Sequence, residues 1–310
     1  MNDARPPAAP AIGVTGASGF LGRALGAWLE ARGHRVRRFV RGKRAVGDEI
    51  AWEPTRGRID AGALAGLDAV VHLSGAGIAD TPWTPERKRL LLESRAQTLD
   101  TLSRALASCP RPPRVLIAQS AVGWYGDRGD EELDESSPAG HGFLAELAHD
   151  WEAAARPARH AGVRVAHART GLVLARGAGL LARLERPFAM GLGGPLGGGR
   201  AWWSWIALVD FIRAIAFAIG DERIAGPFNA VAPAPVRQAE FAHALGHALR
   251  RPAVLHAPAF ALRLMLGRER ANELLLASQR VRPIALLAAG FRFDAPELEP
   301  LLAAMYPPRR

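Results

Sequence analysis

A short apolar run passes through three glycines straight into a helical pattern: IGVTGASGFLG, residues 12–22, followed by RALGAWLEARGH. Leu25, Trp28 and Leu29 recur at helical spacing, so the order is strand, turn, helix. Gly16, Gly19 and Gly22 occupy the turn. There the first glycine permits a tight bend, the second lets a phosphate approach the backbone, and the third lets helix pack on strand. Glycine spacing alone is a weak signal. Its position between a strand and a helix makes this loop a candidate pyrophosphate cradle for a dinucleotide.

The rest of the chain continues in the same alternation. RVRRFVR (35–41) reads as a second strand, EIAWE (49–53) as a short third, and DAVVHLSG (68–75) as an apolar fourth. A long crossover helix follows over 84–108, with Thr84 as N-cap, Pro85 at its first position and an apolar stripe through Leu91, Leu99, Leu102 and Leu106. RVLIAQS (114–120) predicts a buried fifth strand, residues 143–160 a helix, and VRVAHARTGLVL (163–174) a sixth strand. Strands alternating with helices imply an α/β fold, a Rossmann-type doubly wound parallel sheet covered on both faces. After residue 175 the pattern loosens into a smaller, mainly helical portion that includes a glycine-rich stretch (191–200), the aromatic WWSWI and a helical run over 258–278. The expected organisation is a mobile tail over 1–10, a dinucleotide-binding domain over 11–175, and a helical C-terminal portion over 176–310, some of whose segments return to the sheet.

Composition narrows the partners. The net charge is +10, but lysine occurs only at Lys43 and Lys88, and arginines are scattered along the whole chain. With no accompanying nucleic-acid motif, that distribution argues for an Arg- and Ala-biased protein and against nucleic-acid binding. The most apolar stretch, 202–220, carries Asp210 and Arg213 at mid-length, so no membrane span is expected. MNDARPPAAPA lacks the apolar core of a signal peptide, and a cytoplasmic location is the expectation. The single cysteine, Cys109, excludes an intrachain disulfide and a cysteine metal cage.

The end of the second strand indicates which dinucleotide. An NAD site usually has an acid about 20 residues after the glycines, for the ribose hydroxyls. Here Arg41 lies 19 residues beyond Gly22, and VRRFVRGKR contains no acid. Guanidinium groups pair bidentately with an adenosine phosphate, so NADP (NADPH) is favoured over NAD.

VTGASGFLG, DAVVHLSG, IAQSAVGWYG, ARTGLVL, WSWIALVD and GPFNAVAP occur in the order found in the extended short-chain dehydrogenases/reductases, which the chain resembles over about residues 11–303. TPWTPERKRLLLESR, SAVGWYGDRGDEELDESSP, GLGGPLGGGRAWWSWI and the tail PAFALRLMLGRERANELLLASQRV narrow the likeness. They resemble the atypical "epimerase family protein" subfamily with a helical C-terminal extension. The resemblance implies cofactor contacts at Gly16, Gly19, Phe20, Leu21 and Gly22 for the pyrophosphate, and at Val40 and Arg41 for the adenosine phosphate. It also implies contacts at Leu73, Ser74, Gly75, Arg95, Arg169 and Thr170.

The expected catalytic pair is missing. Extended short-chain enzymes carry Tyr-x-x-x-Lys on the helix after the fifth strand, where the lysine tunes the tyrosine for proton exchange. Here that helix offers Phe143 and Leu147, compatible with an apolar wall near a nicotinamide; Tyr125 has Gly129 four residues on, and Tyr306 has Arg310. Ser120 matches the Ser or Thr that bonds substrate oxygen in related enzymes. Tyr125 is either a pocket or packing residue or a substitute acid, with Arg128 or a water as its helper. Asp127, Asp130, Glu131 and Glu132 form an acidic cluster that either orients a cationic substrate or is merely solvated. His243 and His247 stand one helical turn apart without a third ligand, so no metal site is expected. Trp202, Trp203 and Trp205 either belong to a lid or anchor their loop to the core. The leading expectation is an NADP-dependent oxidoreductase acting on a small carbonyl or alcohol. Two other functions stay open: an epimerase or dehydratase using its cofactor transiently, and a non-catalytic NADP-binding sensor.

Overall fold

In the computed structural model, residues 10–42 and 44–307 are described. The tail expected over 1–10 therefore lies, except for Pro10, outside the described residues, as do Lys43 and Arg310. Strands β1 (Ala11–Thr15), β2 (Arg35–Arg41), β3 (Glu49–Glu53), β4 (Arg58–Ile59), β5 (Ala69–His72) and β6 (Val115–Ala121) come first in the chain. β7 (Glu132–Leu133), β8 (Arg164–Thr170), β9 (Leu172–Leu174), β10 (Trp202–Trp203), β11 (Trp205–Ala207) and β12 (Gly226–Ala230) follow. The main sheet has eight strands in the order β12-β8-β6-β5-β1-β2-β3-β4. All its pairings are parallel except that of β3 with β4. The winding direction reverses between β1 and β5, and ligands of such sheets bind outside the strand ends at that reversal.

Helices α1 (Phe20–Glu30), α2 (Pro85–Leu92), α3 (Thr98–Ala107), α4 (Phe143–Ala153), α5 (Arg156–His160), α6 (Gly179–Ala189), α7 (Leu208–Gly220) and α8 (Gln238–Leu249) complete the frame. Successive residues of a strand face opposite sides of its sheet, so each buried strand feeds two cores. Val71 packs with Leu25 and Leu29 of α1 and Phe211 and Ile215 of α7. Its neighbour Val70 packs with Leu99, Leu102 and Leu106 of α3. A third cluster, around Trp203, Trp205, Phe241, Leu245 and Leu302, holds the C-terminal portion.

Three elements differ from their expected form. The helix expected over 84–108 is interrupted by a π turn at Glu93–Gln97, where Ser94 Oγ and Thr98 Oγ1 turn back onto the carbonyls of Leu91 and Ser94. The strand expected over 163–174 breaks at Gly171, where a Cβ would stand 2.5 Å from Ser204 O; β9 then leaves the main sheet to pair with β11. The helical run over 258–278 is cut at Gly267, whose φ of +85° ends helix α9 (Ala259–Leu266). Helix α10 (Arg268–Ala271) and a π turn at Asn272–Leu276 carry the chain onward.

Candidate cofactor and substrate site

The cradle is built at the reversal point. Gly16 takes φ +64°, and a Cβ there would lie 2.7 Å from Leu73 O; at Gly22 it would lie 2.2 Å from Gly16 O. Both glycines are required by backbone approach. α1 starts with Gly19 as N-cap, has no side-chain cap and carries no acid in its first turn. Its leading N–H groups and the positive end of its dipole are thus left for an anion.

A cavity of about 450 Å³ opens from this loop. It brings together Gly16, Gly19, Phe20, Leu21, Gly22, Leu73, Ser74, Gly75, Arg95, Ser120 and Thr170. Arg95 lies on the π turn and packs against Gly75, where a Cβ would meet its Cζ at 3.2 Å. Its guanidinium donates to Ala76 O at 2.9 Å and to Leu91 O at 3.2 Å, sits 5.2 Å from the Trp151 ring centroid, and has no carboxylate partner among the described residues. Burial pulls it down to about 10, and the nearby Arg87 charge adds to that. An anion at the cradle relieves both effects. His72 beneath the loop is fully enclosed between Thr15 Oγ1 (3.0 Å) and Thr98 Oγ1 (3.2 Å), and burial lowers it to about 3, so it is a neutral structural group.

Val40 and Arg41 lie outside that cavity, at the end of β2 beside β1. Arg35 pairs with Asp48, Arg38 pairs with Glu30, and Arg37 donates to Ala63 O. Arg41 is exposed and has no ion-pair partner among the described residues. Of the strand's arginines it is the one with no side-chain partner among the described residues.

Two expected site residues are held elsewhere. Arg169 does not line the cavity: its Nε donates to Glu152 Oε1 at 2.9 Å and its Nη2 to Glu152 Oε2 at 3.1 Å, while its guanidinium lies 3.9 Å from the Trp124 ring centroid. The structure does not bring Arg169 to the cavity with the other expected contacts. Tyr125 is fully buried behind the cavity wall, donating to Asn229 Oδ1 at 2.7 Å and accepting from Arg169 Nη1 at 3.2 Å. Burial pushes its phenol up to about 12, against the pull of Arg169, so it stays protonated and has no path to a ligand. Its position is that of a packing residue. Ser120 is among the residues that line the cavity, but it too is fully buried, and its Oγ donates to Glu152 Oε1 at 2.8 Å.

The apolar wall, the acidic cluster and the tryptophans are placed as definitely. Leu147 lines the cavity, but Phe143 packs edge-on against Trp83 with centroids 5.0 Å apart. Arg128 is committed to Glu131, and Asp130 pairs with Arg237 and accepts from Trp202 Nε1. Asp127 accepts from Ser278 N, and Glu132 faces Arg280 and Arg282. The acidic cluster therefore fastens the C-terminal segment to the loop after β6. Trp203 and Trp205 are buried anchors, the first against Phe241 and the second donating to Ala234 O. His243 and His247 are exposed on α8. No helix among the described residues is long and apolar enough to cross a membrane.

Sequence reasoning missed Glu152, Gln119, Glu273 and Gln279. Glu152 stands on α4 beyond the positions where a Tyr-x-x-x-Lys pair would be sought, and no local pattern marks it. Glu273 arrives from the π turn after α10, and its carboxylate accepts from Phe143 N (3.1 Å) and Leu144 N (2.7 Å), capping α4 from a distant segment. It also joins the first cavity to a wider cleft of about 860 Å³, lined by Gly142, Leu144, Arg263, Arg268 and Gln279.

Residues 12–230 match the NAD dependent epimerase/dehydratase family, and residues 257–305 match a domain of unknown function, DUF1731. An epimerase family protein of Mycobacterium leprae is 45% identical over 282 residues, covering 91% of each chain. The human epimerase family protein SDR39U1 is 36% identical, covering 92% of this chain and 96% of its own. A crystal structure of the human protein with NADPH superposes with a TM-score of 0.86 at 33% identity, over 96% of this chain and 99% of that one. A nucleoside-diphosphate sugar epimerase from Corynebacterium glutamicum superposes with a TM-score of 0.79 at 35% identity, over 96% of this chain but 58% of that one. With the glycine cradle at the β1/β5 reversal, these likenesses make the chain an atypical extended short-chain protein that belongs to the NAD dependent epimerase/dehydratase family.

Proposed function

We propose that the protein is an NADP-dependent oxidoreductase acting on a small alcohol or carbonyl compound. The observation that carries this reading is one cavity joining an uncapped, glycine-lined helix N-terminus to the end of β6 at Ser120 and the apolar wall of α4. When bound, the nicotinamide dinucleotide supplies a hydride donor or acceptor. The backbone N–H groups of Phe20, Leu21 and Gly22 hold its pyrophosphate, Arg95 adds positive charge beside it, and Arg41 pairs with the adenosine phosphate. Leu147, Leu144 and Trp151 exclude water from the side of the cavity facing α4, and Ser120 orients the reacting oxygen. The uncommitted Arg41, together with the NADPH in the crystal structure of the human relative, supports NADP over NAD. A small-molecule substrate and a cytoplasmic location, with neither nucleic acid nor membrane as partner, belong to the same proposal.

Fluorescence titration with NADPH and NADH tests the cofactor assignment. Ser120→Ala, assayed with NADPH against a panel of small aldehydes and ketones, tests the chemistry: activity should fall while NADPH affinity holds. A second reading, a protein that binds NADP without turnover, is favoured by Phe143 and Leu147 where the tyrosine and lysine would stand, and by the enclosure of Tyr125. It gains if NADPH binds and no carbonyl in the panel is reduced. An epimerase or dehydratase needs a base as well, and the missing pair counts equally against it.

A further inference from the structure

The segment that matches the domain of unknown function, residues 257–305, supplies the larger part of the lining of the cleft of about 860 Å³ beside the cofactor cavity. The two spaces meet at Gly123, Leu144, Glu273 and Gln279. A molecule seated in the cofactor cavity at this junction has room to continue into the cleft. The break at Gly267 shapes that space. It ends α9 and turns the chain into α10, so that Arg263 of the first helix and Arg268 of the second line the same cleft.

The charged groups of the cleft differ in how they are engaged. Glu269 pairs with Lys88 of α2. Glu273 has both oxygens on the backbone N–H groups of Phe143 and Leu144, and Asp127 Oδ1 accepts from Ser278 N at 3.0 Å and Gly129 N at 3.3 Å. The acids are thus tied to structural partners. Arg263 donates through Nε to Asn272 Oδ1 at 2.9 Å, a neutral partner that fixes the guanidinium and leaves its Nη edge open. Arg268 has no hydrogen-bond or ion-pair partner among the described residues, and both arginine side chains are exposed. Two guanidinium groups without a carboxylate therefore line one cleft, the arrangement that suits an incoming oxyanion.

We propose that the 257–305 segment is the substrate-recognition element of this site, and that Arg263 and Arg268 bind an oxyanion, carboxylate or phosphate, carried by the substrate. The proposal rests on the oxidoreductase reading above and names its substrate class: an acidic alcohol or carbonyl compound, with its reacting carbon in the cofactor cavity and its anionic end in the cleft. Gln279 stands where the two spaces meet, and its side-chain amide has no partner among the described residues. An amide both donates and accepts, so this one suits a polar group on the carbons between the two ends. A single exposed ion pair contributes little, whereas two guanidinium groups on one oxyanion add geometry to charge and so select against a neutral analogue.

Isothermal titration calorimetry of the NADPH-loaded full chain tests this. The probes are levulinate and its methyl ester, and dihydroxyacetone phosphate and dihydroxyacetone, so that each carbonyl is offered with and without its charge. The two anions separate carboxylate from phosphate as the group recognised. The expected result is that at least one anion binds about tenfold or more tightly than its neutral counterpart, and that the Arg263→Ala/Arg268→Ala double variant loses this advantage with NADPH affinity unchanged. Equal binding of charged and neutral probes, binding of neither anion, or an advantage that the double variant retains overturns the proposal. If circular dichroism shows the double variant unfolded, Arg268→Ala alone decides, with the same two outcomes. NADPH oxidation followed in the same samples reports separately on the oxidoreductase reading. Anion binding that needs the two arginines but brings no oxidation leaves the recognition site standing and counts against that reading; neutral carbonyls reduced as fast as charged ones leave the reading standing and overturn the site.

Discussion

Arg169 grips both oxygens of Glu152, Nε to Oε1 at 2.9 Å and Nη2 to Oε2 at 3.1 Å, in a pair whose arginine side chain is 4% exposed. Removing one partner of such a pair leaves an uncompensated buried charge, which costs about 3–5 kcal/mol. Arg169→Ala should therefore be destabilised by about that amount in urea unfolding, and the double variant Arg169→Met with Glu152→Leu by less. A single substitution that leaves the midpoint unmoved would show that the pair contributes nothing to stability.

Gly22 has backbone where a side chain would go, at 2.2 Å from Gly16 O. Gly22→Ala should displace the loop and weaken NADPH by about tenfold or more, equivalent to about 1.4 kcal/mol. Gly26, four residues along the same helix, meets only Val36 Cγ1 at 4.0 Å, and Gly26→Ala should stabilise by about 0.5–1 kcal/mol with unchanged NADPH affinity. Equal behaviour of the two variants in a binding titration would contradict a close backbone approach at Gly22.

His72 and His167 are both buried, and burial lowers them to about 3 and about 4. Below the ordinary histidine range the unfolded chain takes up protons that the folded one refuses. Stability is therefore fully present above about pH 6.5 and is lost as pH falls toward those folded-state values. Each histidine contributes a slope of at most about 1.4 kcal/mol per pH unit. Urea unfolding at pH 7 and pH 5 should show the loss, and His72→Gln should reduce it; a flat profile would mean that one or both rings accept a proton in the fold.

Tyr125→Phe removes a hydroxyl lodged between Asn229 Oδ1 and Arg169 Nη1. Leaving those groups unpaired should cost about 1–3 kcal/mol of stability. NADPH affinity and any carbonyl reduction should be retained, since the phenol has no access to the cavity. A variant of normal stability that has lost turnover would restore the tyrosine as the acid.

Much of this was legible because short-range rules govern it. The strand, glycine and helix order of 12–30 placed the cradle, and the acid-free end of β2 singled out Arg41. Alternating apolar positions such as Val70 and Val71 carried the two-faced sheet. The rest depends on distant segments. Nothing local marks Glu152 as the acceptor of both Ser120 and Arg169, or Glu273 as the cap of a helix 130 residues away from it. Arg169 fits the family pattern for a cofactor contact, and nothing in the sequence shows its tertiary pairing with Glu152. The break at Gly171 and the π turn at Arg95 likewise arise from packing, which propensity does not encode.

Selectivity of the cradle for NADP is tested by titrating wild type and Arg41→Ala with NADPH and NADH and following nicotinamide fluorescence. The expected result is tighter NADPH binding by wild type, with Arg41→Ala losing about 1.5–3 kcal/mol for NADPH, roughly tenfold or more, and little for NADH. Binding of neither nucleotide, or a preference that Arg41→Ala leaves intact, would contradict it.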